Sequence, residues 1–310
     1  FPFQSTDRIR SSPAIGDVDN DGQMEIVFGY SSGKLYIINQ DGSQQLAYTQ
    51  LGFIEGAPAL VDIDGDQDLE IIFTTTTGSG GQVYVIHHNG VTESGFPKEI
   101  GSMFAGPAVH DLDNDGVVDV VCVTYDKEIY VIEAIGGAIK SGFPFTAESR
   151  FSMPATIVDV DSDGDYEIAA GCNSGDLYIL HHDGTIHSQY DTGDDIRGGI
   201  SVCDLNNDGQ LDLLFGGYDD KIHVWDPVAN ELLPGWPVDL GYNSLSEPVL
   251  ADLDGDGQID DDEFYESFVD CGYSPNGVWM CEGNDDWDES YGNGIWNPVS
   301  YTHLTLPTKA

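Results

Sequence analysis

An all-β fold, a β-propeller of four-stranded antiparallel blades, is what this sequence predicts, on three observations. An acidic motif recurs six times, its successive first aspartates 45, 49, 48, 45 and 48 residues apart. Each interval holds short β-branched and aromatic runs separated by Gly-rich turns. Between residues 1 and 250 no segment shows a convincing helical period. Short strands with turn signals about every ten residues mean an all-β fold, and four strands per ~40–50 residues make one propeller blade. A parallel β-helix with metal-loaded turns is the competing architecture, but its repeats are much shorter.

The strands can be placed one by one. Each repeat opens on a Pro and a small apolar run, Ser12-Pro13-Ala14-Ile15-Gly16 in the first and Ala57-Pro58-Ala59-Leu60-Val61 in the second. The acidic loop comes next, starting at Asp17, Asp62, Asp111, Asp159, Asp204 and Asp252. An apolar strand follows, such as Glu25-Ile26-Val27-Phe28-Gly29 or Glu70-Ile71-Ile72-Phe73. The third strand is β-branched around Tyr36, Tyr84, Tyr130, Tyr178 or, in the fifth repeat, His223. A more polar fourth strand is expected to end in Gly-Phe-Pro or Gly-Trp-Pro, at Gly95 to Pro97, Gly142 to Pro144 and Gly235 to Pro237. Five full blades result, about 12–50, 57–100, 106–147, 153–191 and 198–240, with only the first strand of a sixth. Phe1-Pro2-Phe3 reads as the end of a further blade.

Residues 1–251 are therefore expected to be blades, 252–270 the sixth loop, and 271–298 an acidic tail rich in Gly, Asn and Trp. Residues 299–310 resemble the in-frame translation of a sequencing-library adapter and are set outside the fold.

Phe28-Gly29, Phe215-Gly216 and Gly56-Ala57-Pro58, together with loops of the form Asp-x-Asp-x-Asp-Gly-x-x-Asp/Glu, resemble FG-GAP or VCBS repeats. These are the units of integrin α-type propellers and of many bacterial secreted proteins. The resemblance covers about residues 1–260. It implies calcium in the loops and a seven-bladed ring outside the cytoplasm, of which this chain carries a part.

The loops themselves argue for calcium. Oxygens at positions 1, 3 and 5 converge on one side, the carbonyl at position 7 adds a ligand, and an acid at position 9 closes the shell; Ca²⁺ prefers such hard oxygens. The first loop offers Asp17, Asp19, Asp21, the carbonyl of Gln23, and Glu25. The second offers Asp62, Asp64, Asp66, Asp68 and Glu70, and the third Asp111, Asp113, Asp115, Val117 and Asp119. The fourth has Asp159, Asp161, Asp163, Asp165 and Glu167, and the fifth Asp204, Asn206, Asp208, Gln210 and Asp212. The sixth has Asp252, Asp254, Asp256, Gln258 and Asp260. Read on to Glu263, with Phe264 and Phe268 after it, this loop also fits an EF-hand or dockerin-like half-site. The lack of an apolar strand behind it leans that way. The bland alternative is an Asp-Gly turn with solvated acids, but six loops with oxygens at fixed offsets oppose it.

About one Ca²⁺ per loop is expected, up to six, in a structural role. At tenfold above Kd each site adds roughly 1.4 kcal/mol and six add roughly 8, against a domain stability of about 5–15. Extracellular modules bind with Kd of about 10⁻⁴–10⁻³ M, which would leave such sites empty in cytosol. An extracellular, cell-surface or periplasmic location is expected.

Composition excludes other functions. Asp and Glu number 55 against 10 Lys and Arg, a formal charge of −45, which disfavours nucleic acid and anionic membrane surfaces. Hydrophobic residues make up 40%, so the chain folds rather than staying disordered. No apolar run approaches the ~20 residues of a membrane helix, and no signal peptide is visible. Cys122 and Cys172 lie in apolar strands and read as buried, inert thiols, whereas Cys271 and Cys281 could pair. His87-His88 and His181-His182 occupy one place in two blades, and His110 precedes a loop; all read as blade positions rather than metal ligands.

No catalytic constellation stands out. Two function classes remain: a non-catalytic module for adhesion or for protein or carbohydrate binding on one face, and a calcium-dependent polysaccharide lyase or hydrolase. A cluster of His, Arg or Tyr on one face would favour the enzyme. Arg8, Arg10, Lys98, Arg150 and Arg197 are scattered in sequence, which favours binding.

Overall fold

The structure is a computed structural model that describes residues 8–50, 52–78 and 80–250, and the backbone of 271–273 and 279–281. The chain divides into two units, Phe1–Val202 with Gln210–Pro248, and Cys203–Gly209 with Val249–Ala310. Among the described residues no helix is long and apolar enough to cross a membrane.

Five antiparallel blades follow in chain order. The first is β1 (Ala14–Gly16), β2 (Glu25–Gly29), β3 (Lys34–Ile38) and β4 (Gln44–Thr49). The second is β5 (Ala59–Val61), β6 (Glu70–Thr76), β7 (Gly81–Ile86) and β8 (Lys98–Ile100). The third is β9 (Ala108–His110), β10 (Asp119–Val123), β11 (Glu128–Glu133) and β12 (Phe145–Thr146). The fourth is β13 (Thr156–Val158), β14 (Glu167–Gly171), β15 (Asp176–Leu180) and β16 (Ile186–Asp191). The fifth is β17 (Ile196–Cys203), β18 (Asp212–Gly217), β19 (Lys221–Asp226), β20 (Glu231–Leu232) and β21 (Val238–Asp239).

The middle strands are buried on both faces because blades stack on one another. Leu35 and Ile37 of the first blade pack with Phe73 and Tyr84 of the second. Val83 and Val85 meet Val120, Cys122 and Ile132 of the third. Val121, Ile129 and Val131 meet Ile168, Ala170 and Tyr178 of the fourth, and Leu177 and Ile179 meet Leu213, Phe215 and Trp225 of the fifth. The outermost strands β4 and β16 alternate between half-buried and exposed, as edge strands with one wet face should. The aromatic residue of the third strand stacks on its cross-strand partner: Phe73 on Tyr84 at 4.9 Å between centroids, and Phe215 on His223 at 5.3 Å. Burial pushes the Cys122 thiol up to about 12, as an inert core cysteine requires.

One expectation is corrected. Gly-Phe-Pro does not end the fourth strand but splits it. In the second blade Thr92 bridges Ile86 before the motif, and β8 follows it; in the third Ile139 bridges Ile132, and β12 follows. In the fifth, β20 and β21 pair with opposite ends of β19. Proline has no N–H to give the ladder, so pairing stops there. Phe96-Pro97, Phe143-Pro144 and Trp236-Pro237 are cis. The first and fourth blades lack the proline and keep unbroken six-residue strands.

Among the described residues of the second unit, Cys271–Tyr273 (β22) and Trp279–Cys281 (β23) form an antiparallel pair with position 271 opposite position 281. The EF-hand-like reading of 252–270, the remainder of the tail and the adapter-like end lie outside the described residues.

Candidate functional site

The first four acidic loops join the first and second strands of their blades and share one backbone design. Each reverses through two left-handed residues, at positions 4 and 6. In the first loop these are Asn20 (φ 53°) and Gly22 (φ 88°), and in the second Gly65 (φ 79°) and Gln67 (φ 78°). The loop is laced by its own carboxylates. Asp17 accepts the N–H groups of Asp21 (3.0 Å) and Gly22 (2.9 Å), and Asp21 accepts that of Gln23 (2.8 Å). Asp111 and Asp115 repeat this, with Gly116 donating at 2.9 Å and Val117 at 2.8 Å. The acid at position 9 reaches back to the N–H of position 2: Glu25 to Val18, Glu70 to Ile63 and Glu167 to Val160, each at 3.0 Å. Within Cys203–Gly209, Asp204 likewise accepts from Asp208 (3.0 Å) and Gly209 (2.8 Å).

This lacing gathers carboxylates. One oxygen from each of Asp17, Asp19 and Glu25 lies within 4.8 Å of the others, and so do those of Asp159, Asp161 and Glu167. Asp62, Asp64 and Asp66 form the second set, and Asp111, Asp113 and Asp115 the third. Asp19 Oδ1 and Asp159 Oδ1 are buried and accept no hydrogen bond. Buried acceptors are rarely left so, and a hard cation would satisfy them. Burial raises the carboxyls of Glu25, Glu70 and Glu167 above the usual range, with neighbouring loop acids adding to it. The donor sets of the first, second and fourth loops fit calcium. The sixth loop, Asp252 to Glu263, lies outside the described residues.

The histidine pairs belong to this scheme, which the sequence reading missed. The residue two places after the third strand meets the position 7 side chain in three blades. His88 Nδ1 lies 3.0 Å from Asp68 and His182 Nδ1 3.4 Å from Asp165, while Gln40 donates to Gln23. The residue before it meets the closing acid: His87 lies 2.8 Å from Glu70, and His181 3.2 Å from Glu167. Turning the position 7 side chains away suits a position expected to offer only its carbonyl. His110 packs on Tyr166 at 4.0 Å, between the third and fourth blades.

The third loop differs. Lys140 Nζ lies 2.8 Å from Asp113 Oδ2 and 2.9 Å from Asp119 Oδ2. Burial would lower the Lys140 amine, but its bonds to these two acids outweigh burial and hold it above the usual range. Asp113 is held low by Lys140 despite its burial, whereas the wholly buried Asp119 stays raised.

A second grouping was invisible in the sequence. Arg150 and Arg197, far apart along the chain, come together around Asn173. With the Asn173 amide oriented so that its oxygen accepts, it takes bonds from Arg197 Nε (3.0 Å) and Arg150 Nε (3.2 Å). Arg150 lies over the ring of Tyr125 at 5.0 Å, and Arg197 over Tyr218 at 4.6 Å. Phe104 extends the aromatic floor, 4.5 Å from Tyr125. Tyr125, Asn173 and Tyr218 follow the second strands, so antiparallel order puts them at the sheet end away from the acidic loops. Each bonds the linker before its own blade: Tyr125 N–H donates to Ser102, Asn173 N–H to Arg150 and Tyr218 N–H to Asp195.

Gln67 permits a direct test of the loop backbone. A non-Gly residue at positive φ costs on the order of 1 kcal/mol, and the other described loops keep Gly at position 6. Gln67→Gly should raise stability by roughly 0.5–1 kcal/mol in thermal melts, with calcium stoichiometry unchanged. A neutral or lower melt would mean that Gln67 bears no strain.

Comparison with known proteins places this geometry. A family model described as FG-GAP-like repeat matches residues 17–73, 62–122, 159–215 and 204–260. Each match runs from the first aspartate of one loop through the next loop, and together they cover about two thirds of the chain. Residues 123–158 fall outside the matches. No curated protein matches the chain in sequence. Among solved structures, BamB from Moraxella catarrhalis superposes with a TM-score of 0.56 at 14% identity, over 88% of this chain and 72% of that one. BBS1N in complex with ARL6DN, from a mercury-soaked crystal, gives 0.53 at 14% identity, over 76% of this chain and 68% of that one. At such identity the likeness shows the fold alone.

Proposed function

The chain belongs to the FG-GAP-like repeat family, and from that premise we propose a calcium-stabilised, non-catalytic binding module that works outside the cytoplasm, at the cell surface or in the periplasm. The observation that carries the reading is the recurrence of one acid cluster in successive blades, with Asp19 Oδ1 and Asp159 Oδ1 buried and unpartnered. Asp17, Asp19, Glu25, Asp159, Asp161 and Glu167 would hold the ions, with Asp62, Asp64, Asp66 and Glu70 between them. Bound calcium would neutralise carboxylates that repel one another and lock the hairpin that joins the first two strands. Dialysis against millimolar calcium followed by elemental analysis tests this; a protein that retains no calcium refutes it.

Ligand binding is assigned to the Arg150–Arg197 grouping at the other end of the sheets. Arginine forks bind carboxylates bidentately; Arg197 already holds Asp195 through Nε and a terminal nitrogen, so Arg150 is the fork offered to a ligand, and aromatic faces stack on sugar rings or side chains. BBS1N is crystallised with a protein partner, ARL6DN, and a protein or polysaccharide bearing carboxylates suits this surface. The enzyme alternative draws on the same Arg and Tyr residues. However, the histidines of the described residues are engaged elsewhere: His87, His88, His181 and His182 at the acid loops, His187 near Asp161, His110 on Tyr166, and His223 on Asp219. The grouping therefore binds without an imidazole base. Arg150→Ala with Arg197→Ala should weaken retention on immobilised polygalacturonate at least tenfold with calcium content intact. Equal retention of variant and wild type would remove this surface from the reading.

A further inference from the structure

We propose that Lys140 stands in for the metal in the third loop, so that this loop folds on a built-in ammonium while the first, second and fourth loops take calcium. The inference rests on the calcium reading above and departs from it at one loop.

The geometry is specific. The amine bridges position 3 (Asp113, 2.8 Å) and position 9 (Asp119, 2.9 Å). In the first and fourth loops the residues at these positions, Asp19 with Glu25 and Asp161 with Glu167, face one another across the cluster. The Lys140 side chain is only 11% exposed and that of Asp119 is 0% exposed, so this is no solvated surface pair. Calcium sits ~2.3–2.6 Å from its oxygens. An ion bound to the same two carboxylates would lie beside a buried ammonium, and like charges in a poorly solvated site repel strongly.

The equivalent residue in other blades carries no fixed positive charge. Lys140 N–H donates to Val131 as Glu93 N–H donates to Val85, which fixes the match between the third and second blades. In the first blade Gln45 lies at the bulge opposite β3, and its neutral amide donates to Asp19 at 2.8 Å. In the fourth, His187 lies 3.7 Å from Asp161. One blade position is thus an amide, an acid, a lysine and an imidazole in turn, and in the first, third and fourth blades it lies against loop position 3. A lysine there supplies what the metal supplies elsewhere. Asp113 Oδ1 and Asp119 Oδ1 keep no hydrogen-bond partner, so acceptors for a metal remain once the amine is removed.

The experiment is a calcium titration of the whole chain by calorimetry, with calcium alone as the probe. Asp19→Asn should lose one equivalent relative to wild type and Asp113→Asn none. Lys140→Gln should gain one equivalent, lost again when Asp113→Asn is added, and should melt lower than wild type in EDTA but recover in calcium. Loss of one equivalent by Asp113→Asn alone overturns the proposal, as does unchanged stoichiometry in Lys140→Gln. The Asp113→Asn measurement is decisive even if Lys140→Gln fails to fold. Asp19→Asn separates the two readings: if it too is silent because nothing binds, the calcium assignment itself fails.

Discussion

Removing calcium should lower the melting temperature of this protein by about 10 °C. Three described loops take the ion in this account, and at tenfold above Kd each adds ~1.4 kcal/mol, ~4 in all. For a domain of 150–250 residues each kcal/mol moves Tm by ~2–4 °C, so the shift lies near 8–16 °C before the fifth and sixth loops are counted. Without the ion, Glu25, Glu70 and Glu167 must stay buried beside other carboxylates, which is why burial and neighbouring acids raise them. Magnesium should restore little, because it demands tight octahedral geometry at ~2.0–2.1 Å and sheds water reluctantly. Differential scanning calorimetry in EDTA, calcium and magnesium decides it. A Tm unaltered by EDTA would mean that the lacing hydrogen bonds hold the loops without help.

The blades were legible because their signals are local. Turn glycines, β-branched runs and the Asp offsets each act within ten residues, so the strand order and the clusters of the first four loops could be read directly. What escaped depends on register or on distant chain. Lys140 lies behind a turn, Ile135-Gly136-Gly137, one residue longer than the turns before Glu93 and His187, so counting from the tyrosine strand misses its match. The histidine pairs were placed in the right turn, but they reach Asp68, Glu70, Asp165 and Glu167 across a strand pairing, Ile71 opposite Ile86 and Ile168 opposite Leu180, rather than along the chain. Arg150 and Arg197 looked scattered because 47 residues separate them, one blade period. The broken fourth strands were misread because Gly-Phe-Pro looks like a terminator, whereas pairing resumes after it.

Gly56→Ala should be among the most destabilising single methyl additions in the chain. Gly56 opens the Gly56-Ala57-Pro58 run before β5, where the second blade meets the third. A Cβ there would fall inside the backbone at Ala105 and Gly106, and a Cβ at Gly106 would in turn meet Ala57 backbone. Two main chains cannot move apart as a flexible side chain could, since first strands of neighbouring blades abut at this point (β5 with β9). Overpacking against side chains costs ~1–3 kcal/mol; against backbone the upper end, about 3 kcal/mol, is expected, or ~6–12 °C in Tm. Gly106→Ala should behave alike. Gly78 provides the control, for it meets nothing within 4 Å, and Gly78→Ala should stay within about 0.5 kcal/mol of wild type. Calcium stoichiometry should not change in any of the three, because the clash lies at the start of the first strand rather than in the loop after it. If Gly56→Ala melts with wild type, the two blades do not approach as closely as the structure has them.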